Sequence, residues 1–242
     1  MAQRDVNYKK NVFNIAYDIV NPAKEDTVVI LHGWGSNKEI MKQAFSKQMG
    51  ELRHIYIDMP GFGKSTNPIV LTTEDYANII KMFLDDIRVK PFFIAGHSFG
   101  GKVATLLNPI CLILLSSAGI LVPKPFSVRA KIAIFKILKP LGFGKMRRFF
   151  ASRDVEGMSH EMYETFKNVV NEDFSKQFEA FGNNALLFWG KSDTATPLWT
   201  GEKINSIIKR SKLYPLEGDH YFFLKHPKFI TETIMQYYKE HK

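Results

Sequence analysis

Cysteine is nearly missing from this 242-residue chain: Cys111 is the only one. No disulfide can form within it, and its place in the apolar run ICLILL reads as that of a small buried hydrophobe. A reducing, cytoplasmic setting is the expectation. Long hydrophobic runs are missing too. The most apolar stretch, Ile110 to Val122, is too short to span a bilayer and is broken by Ser116 and Ser117. The opening MAQRDVNYKKNVFN carries charge but no apolar core of a secretory leader. Acidic residues are absent between Asp86 and Asp154 while Lys and Arg continue, and the net charge is +9. That imbalance suits an acidic partner, anionic lipid or nucleic acid and does not choose among them.

What is present reads as an ordinary folded enzyme. Hydrophobic residues make up 45% of the chain and charged residues 24%, with no biased tract, repeat or domain-sized linker. The length suits one substantial core. Short apolar runs ending in Gly or Pro, namely DTVVILHGW, RHIYIDMPG, PFFIAGHS, ICLILLSSAG and NALLFWG, read as strands. Their unbroken apolarity predicts parallel strands covered on both faces, whereas the alternating NVFNIAYDIV predicts a half-exposed antiparallel edge. Between them, Tyr76, Ile79, Ile80, Phe83 and Leu84 make one helical face after a start at Thr72-Thr73, and Val103, Leu106 and Leu107 make another. The alternation breaks after Gly119 for about 60 residues of helical character. The expected fold is therefore α/β: a mostly parallel, doubly wound sheet formed by 1–120 and 183–242, with a helical insertion over 121–182 following the strand near 110–116.

In such a sheet chemistry gathers beyond the C-terminal strand ends, and four stretches fall there. GHSFG is the G-x-S-x-G pattern between a strand and a helix, which makes Ser98 a candidate nucleophile on a tight turn that needs small Gly96 and Gly100. The alternative is a surface turn serine. A serine needs a base to take its proton, and of seven histidines His220, after the last strand and before the last helix, fits best. His226 before Pro227 reads as a helix start, His32 and His54 belong to strands, His97 to the elbow, and His160 and His241 to the insertion and tail. The base needs an acid to orient it. Asp193, in FWGKSDTATP, gives the order Ser98, Asp193, His220. An Asx turn is its alternative role, and Asp219 competes only by proximity to His220. For the oxyanion, the N–H of Phe99 and that of Trp34, in LHGWGSN, are the candidate donors.

LHGWG, DMPGFGKS, GHSFGG, WGKSDTATP and GDHYFFL occur in this order over almost the whole chain, and together they resemble the alpha/beta-hydrolase superfamily. The resemblance implies that Ser98 attacks an acyl carbon, His220 shuttles the proton, Asp193 orients His220, and the N–H groups of Trp34 and Phe99 hold the oxyanion. It implies that 121–182 is a lid, and no cofactor or metal is required. GFGKS lacks the spacing of a phosphate-binding loop, and Asp58 reads as a turn residue. The span KVATLLNPICLILL departs from the family in leaving only about three turns of helix. Members that dehalogenate or open epoxides carry an aspartate where this chain has Ser98, which leaves ester, thioester, amide or carbon–carbon hydrolysis.

The chain also resembles carboxylesterases, pimeloyl-acyl-carrier-protein methyl ester esterases and meta-cleavage-product hydrolases. An ester or related small acyl substrate, cleaved through an acyl-enzyme, is the leading expectation. A sensor of the same fold, binding a ligand with slow or no turnover, is the competing class. In the insertion, SVRAKIAIFKILKPLGF reads as a basic amphipathic helix. Lys136, Lys139, Lys145, Arg147 and Arg148 form a candidate docking patch for an acidic carrier protein or an anionic membrane surface, against the plainer reading of a solvated lid back. Nucleic acid is not expected, since no binding motif accompanies the basic stretch. Ile132, Phe135, Phe149, Phe150, Met158, Met162 and Phe166 would favour a hydrophobic acyl group where they face the pocket.

Overall fold

The structure, a computed structural model, describes residues 1–123 and 158–242. Among them eight strands form one sheet: β1 (Ala2–Tyr8), β2 (Asn11–Val20), β3 (Thr27–Leu31), β4 (Arg53–Ile57), β5 (Phe93–His97), β6 (Cys111–Leu115), β7 (Asn184–Gly190) and β8 (Ser211–Leu216). Their spatial order is β1-β2-β4-β3-β5-β6-β7-β8. The β1/β2 and β2/β4 pairs are antiparallel and the rest parallel. The helices described are α1 (Lys38–Phe45), α2 (Thr73–Asp86), α3 (Phe99–Leu106), α4 (His160–Val169), α5 (Ser175–Ala180), α6 (Leu198–Ile207) and α7 (Pro227–His241).

Two-sided burial follows from the apolar runs. Every residue of β3, β5 and β6 is buried. Val29, Leu31, Ile94 and Leu114 pack with Ile80 and Phe83 of α2, Val103 of α3 and Ile204 of α6. Val28, Ile30, Phe93 and Ile113 pack on the opposite face with Met41 and Phe45 of α1 and Ile230 and Ile234 of α7. Each such side chain contributes about 1.5–3 kcal/mol. Cys111 lies in the second layer, and burial pushes its thiol up to about 12. At α2 the Thr72 hydroxyl accepts from Asp75 N–H and the Asp75 carboxylate accepts from Thr72 N–H, a reciprocal cap that starts the helix where Thr72-Thr73 predicts.

The sheet's edge differs from the expectation. β2 alternates as read, but β1 covers it, so β1 is the edge and β2 an interior strand. Only Val6 of β1 is buried, because an edge strand is held chiefly by its ladder and needs few apolar side chains. Tyr8 pairs with Asn11, so Lys9 and Lys10 alone make the turn, with φ of 46° and 61°. Positive φ at both positions marks a hairpin turn that ordinarily selects Asn-Gly. Two lysines there hide the hairpin from a reader of the sequence. The second difference is α3, which has only eight residues and gives way to Asn108, in left-handed conformation, and Pro109.

The described part of the expected insertion is tied to the sheet's helices. Leu71 N–H donates to Thr165 Oγ1 (2.9 Å), Asn168 donates to the Leu71 carbonyl (3.2 Å), and Phe174 N–H donates to the Gly119 carbonyl (2.7 Å). Lys102 of α3, 2% exposed, donates to the Val169 carbonyl (2.6 Å) and pairs with Glu172 (2.7 Å), which also accepts from the Thr73 hydroxyl. Residues 124–157 lie outside the described residues, and with them Lys136, Lys139, Lys145, Arg147, Arg148, Ile132, Phe135, Phe149 and Phe150. No helix among the described residues is long and apolar enough to cross a membrane.

Candidate active site

Ser98 alone connects β5 to α3, and its backbone is strained, at φ 50° and ψ −116°. Such a conformation costs about 1–3 kcal/mol and persists only where the surroundings enforce it. Here Ser98 N–H donates to the Leu115 carbonyl (3.1 Å), and its own carbonyl accepts from Gly101 and Ala118 N–H (3.0 Å each). Gly96 and Gly100 are required by space: a Cβ on Gly96 would lie 2.2 Å from the Gly100 carbonyl oxygen, and one on Gly100 2.5 Å from that of His32. Ser98 occupies the N-cap position of α3, yet its side chain makes no capping bond. An ordinary turn or cap serine would use its hydroxyl there.

The loops after β7 and β8 meet because those strands pair through Gly190 and Leu216. They pass so closely that a Cβ on Gly190 would come 2.3 Å from the Asp219 carbonyl oxygen. This contact brings His220 Nδ1 to 2.7 Å from Asp193 Oδ2. Asp193 also accepts from the N–H groups of Ala195 (2.8 Å) and Thr196 (2.9 Å) and from the Thr196 hydroxyl (2.9 Å). Its Asx-turn role and its pairing with His220 therefore coexist. Burial alone would raise its pKa; the bonds from His220 and Thr196 and the nearby Ser116 hydroxyl outweigh it and hold the carboxyl down at about 2. Asp219 turns away and accepts from Tyr221 N–H (2.9 Å).

The loop after β3 lies against the elbow. A Cβ on Gly33 would stand 2.9 Å from His97 Nδ1 and 3.1 Å from Ser98 Cβ. Gly35 has φ 72°, where glycine is at ease. The Gly33 carbonyl accepts from His32 Nδ1 (2.7 Å) and Ser36 N–H (3.2 Å), which leaves the Trp34 N–H on the other side of the same planar peptide. Phe99 opens α3, so its N–H belongs to the first turn, which a helix leaves without an internal partner. The Trp34 ring packs on those of Phe62, Phe99 and Phe166, with centroids 4.9, 5.5 and 5.4 Å away. Phe166 of the expected insertion is thus part of one apolar wall with both candidate oxyanion residues. Met162 is buried nearer Gly61 and Asn67.

Several residues carry more than their sequence reading. Asp58, read as a turn residue, is fully buried, pairs with Lys38 Nζ (2.9 Å) and accepts from the N–H groups of Lys38 (2.8 Å) and Lys64 (3.1 Å). The GFGKS loop spends its amides internally: Phe62 N–H donates to Met59 and Ser65 N–H to Phe62. His32 is buried and donates from Nδ1 to Gly33 while its Nε2 accepts from Met59 N–H (3.0 Å); burial pushes its pKa down to about 4, so it stays neutral. Thr196 supports Asp193, and the D-x-x-T spacing of SDTATP was a signal for it. His32 had no comparable signal, because its partner Met59 lies on another strand's loop. His54 bonds the Tyr56 hydroxyl and the Met49 carbonyl, away from the site.

Residues 26–108 match the family profile described as alpha/beta hydrolase fold. The chain is 22% identical over 265 residues to the uncharacterized hydrolase YugF of Bacillus subtilis, covering 93% of this chain and 94% of that protein. It is 27% identical over 154 residues to the pimeloyl-[acyl-carrier protein] methyl ester esterase of Vibrio campbellii, covering 64% of this chain and 50% of the esterase, so that it spans about half the length of that relative. Among solved structures, an esterase from Exiguobacterium antarcticum superposes with a TM-score of 0.76 at 24% identity, over 97% of this chain and 98% of the esterase.

Proposed function

Since residues 26–108 match the alpha/beta hydrolase fold profile and the whole chain has that fold, we propose that it is a serine hydrolase that cleaves a small ester or related acyl substrate through an acyl-enzyme. The observation that carries this reading is the His220–Asp193 pair at 2.7 Å, on a loop that touches the residue preceding a strained, uncapped Ser98. In the reaction, Ser98 Oγ attacks the acyl carbon while its proton passes to His220 Nε2. The bond to the leaving alcohol breaks as His220 returns that proton to it. Water then attacks the acyl-enzyme, giving a proton to His220, and the acid leaves as Ser98 regains its hydrogen.

Asp193 keeps the proton of His220 on Nδ1, which turns Nε2 into the acceptor, and stabilises the imidazolium that forms. The N–H groups of Trp34 and Phe99 receive the oxyanion, each worth about 100- to 1,000-fold in rate. The aromatic wall of Trp34, Phe99 and Phe166 favours an apolar acyl group.

Initial rates on p-nitrophenyl esters of increasing acyl length, for the wild type and Ser98→Ala, test the proposal. Saturable turnover with a chain-length optimum, abolished in the variant, supports it. Rates equal in the two proteins on every ester sink it, and point to carbon–carbon or amide substrates or to the sensor class. A methyl ester offered free and on acyl carrier protein separates a small-molecule substrate from a carrier-linked one.

A further inference from the structure

His97 takes no part in the proposed reaction, yet it touches all three pieces of the site. It ends β5, and the period-two alternation of a strand points it to the same face as Phe93 and Ala95. Its ring is 1% exposed and packs against His220, Tyr221 and Phe223, with centroids 4.6, 5.3 and 4.9 Å away. Nε2 lies 2.9 Å from the His220 carbonyl oxygen. A carbonyl only accepts, so Nε2 carries the hydrogen and Nδ1 of the neutral ring is a bare lone pair. That Nδ1 is buried without a hydrogen-bond partner and faces Gly33, where an added Cβ would meet it at 2.9 Å.

We infer that His97 is a positioning residue: its Nε2–H, donated to the His220 carbonyl, fastens the base's loop to the nucleophile's strand one residue before Ser98. The inference rests on the hydrolase reading proposed above. Backbone anchoring matters here because Asp193 holds only the ring of His220, through Nδ1, and the loop's own backbone bonds, such as Ser192 N–H to the Gly218 carbonyl (2.9 Å) and Phe222 N–H to the Asp219 carbonyl (3.0 Å), do not reach the strand that carries Ser98. The charged and titratable groups around His97 are His220, Tyr221, Asp193 and His32, and burial, then the nearby His220, pushes its pKa down to about 3. A neutral donor sits beside the imidazolium that His220 becomes without repelling it; a lysine or arginine there would. The packing against Gly33 extends the same restraint to the loop that carries the Trp34 N–H.

Three variants separate donor, ring and fold. His97→Gln sets an amide donor near the position of Nε2, His97→Asn sets it near Nδ1, toward Gly33, and His97→Phe keeps a ring and drops the donor. The readouts are kcat and KM on the best p-nitrophenyl ester, the downfield proton NMR signal of the His220–Asp193 bond, and a thermal melt. The expectation is a loss of about 10- to 100-fold in kcat for His97→Phe and His97→Asn, with KM within about threefold, and largely retained kcat for His97→Gln, since misplacement by about 1 Å costs rate rather than binding. Equal kcat in all three variants and the wild type, or equal losses in Gln and Phe, would overturn the inference. If His97→Phe fails to fold, the Gln and Asn pair decides. If the wild type shows no Ser98-dependent turnover, the hydrolase reading has failed by itself. The NMR signal then decides for His97: broadened in Phe and Asn but kept in Gln supports the anchoring, and unchanged in all three refutes it.

Discussion

Replacing Asp193 by asparagine removes one charge from the site and little volume. In the folded protein its carboxyl is held down at about 2 against an ordinary 3.8, despite burial that pulls the other way. At about 1.4 kcal/mol per unit, that difference is worth about 2 kcal/mol. The native pKa lies below the unfolded one, so this stability is fully present above about pH 4 and is lost as pH falls through about 2. Asparagine can still accept from Ala195 and Thr196 N–H, but it has no charge to lose. Urea unfolding of wild type and Asp193→Asn at a series of pH values measures the gap between them. That gap should shrink by about 2 kcal/mol between pH 5 and pH 2. A gap that stays constant over this range would show that Asp193 is not held ionised by its partners. Turnover near pH 7 should fall in the same variant by about 10,000-fold, because the asparagine amide favours the wrong tautomer of His220.

Other substitutions test separate parts of the structure. Gly96→Ala forces a Cβ to 2.2 Å from the Gly100 carbonyl oxygen, a backbone atom with no rotamer to escape into, and should lower the urea-derived stability by about 3 kcal/mol or more. His32→Ala leaves the Gly33 carbonyl held by the Ser36 N–H alone and the Met59 N–H without its acceptor; turnover should drop by about 100-fold, as when an oxyanion donor is lost, while a thermal melt still finds a folded protein. Cys111, buried with its thiol pushed up to about 12, should resist a thiol-specific disulfide reagent near pH 8 until the protein is unfolded in urea; rapid labelling of the native chain would contradict that burial.

The parallel centre of the sheet was legible because its side chains are buried on both faces, so β3, β5 and β6 announce themselves as unbroken apolar runs. β1 was not, because an edge strand is stabilised by its ladder, and its turn uses Lys9 and Lys10 where glycine would have signalled. In the candidate site, Ser98, Asp193 and His220 are the residue types that the sequence offers at strand ends, and the structure brings Asp193 and His220 together. Their supports were not legible. His32 and His97 make their contacts 27 and 123 residues away in sequence, and no local pattern records such a distance. Thr196 is the exception, being three residues from the carboxylate that it serves.

Because a single residue separates β5 from α3, Ser98 has no joint of its own and moves only as strand and helix move together. One turn further along α3, Lys102 ends on the Val169 carbonyl and Glu172, which couples the far end of α4 to the same rigid unit. Pulling that end away would strand an ammonium group in the interior, at a cost of about 3–5 kcal/mol. The segment around Val169 and Glu172 is therefore a fixed post rather than a gate. For the hydrolase proposed above, that post ties one flank of the candidate site to the helix that begins directly after Ser98.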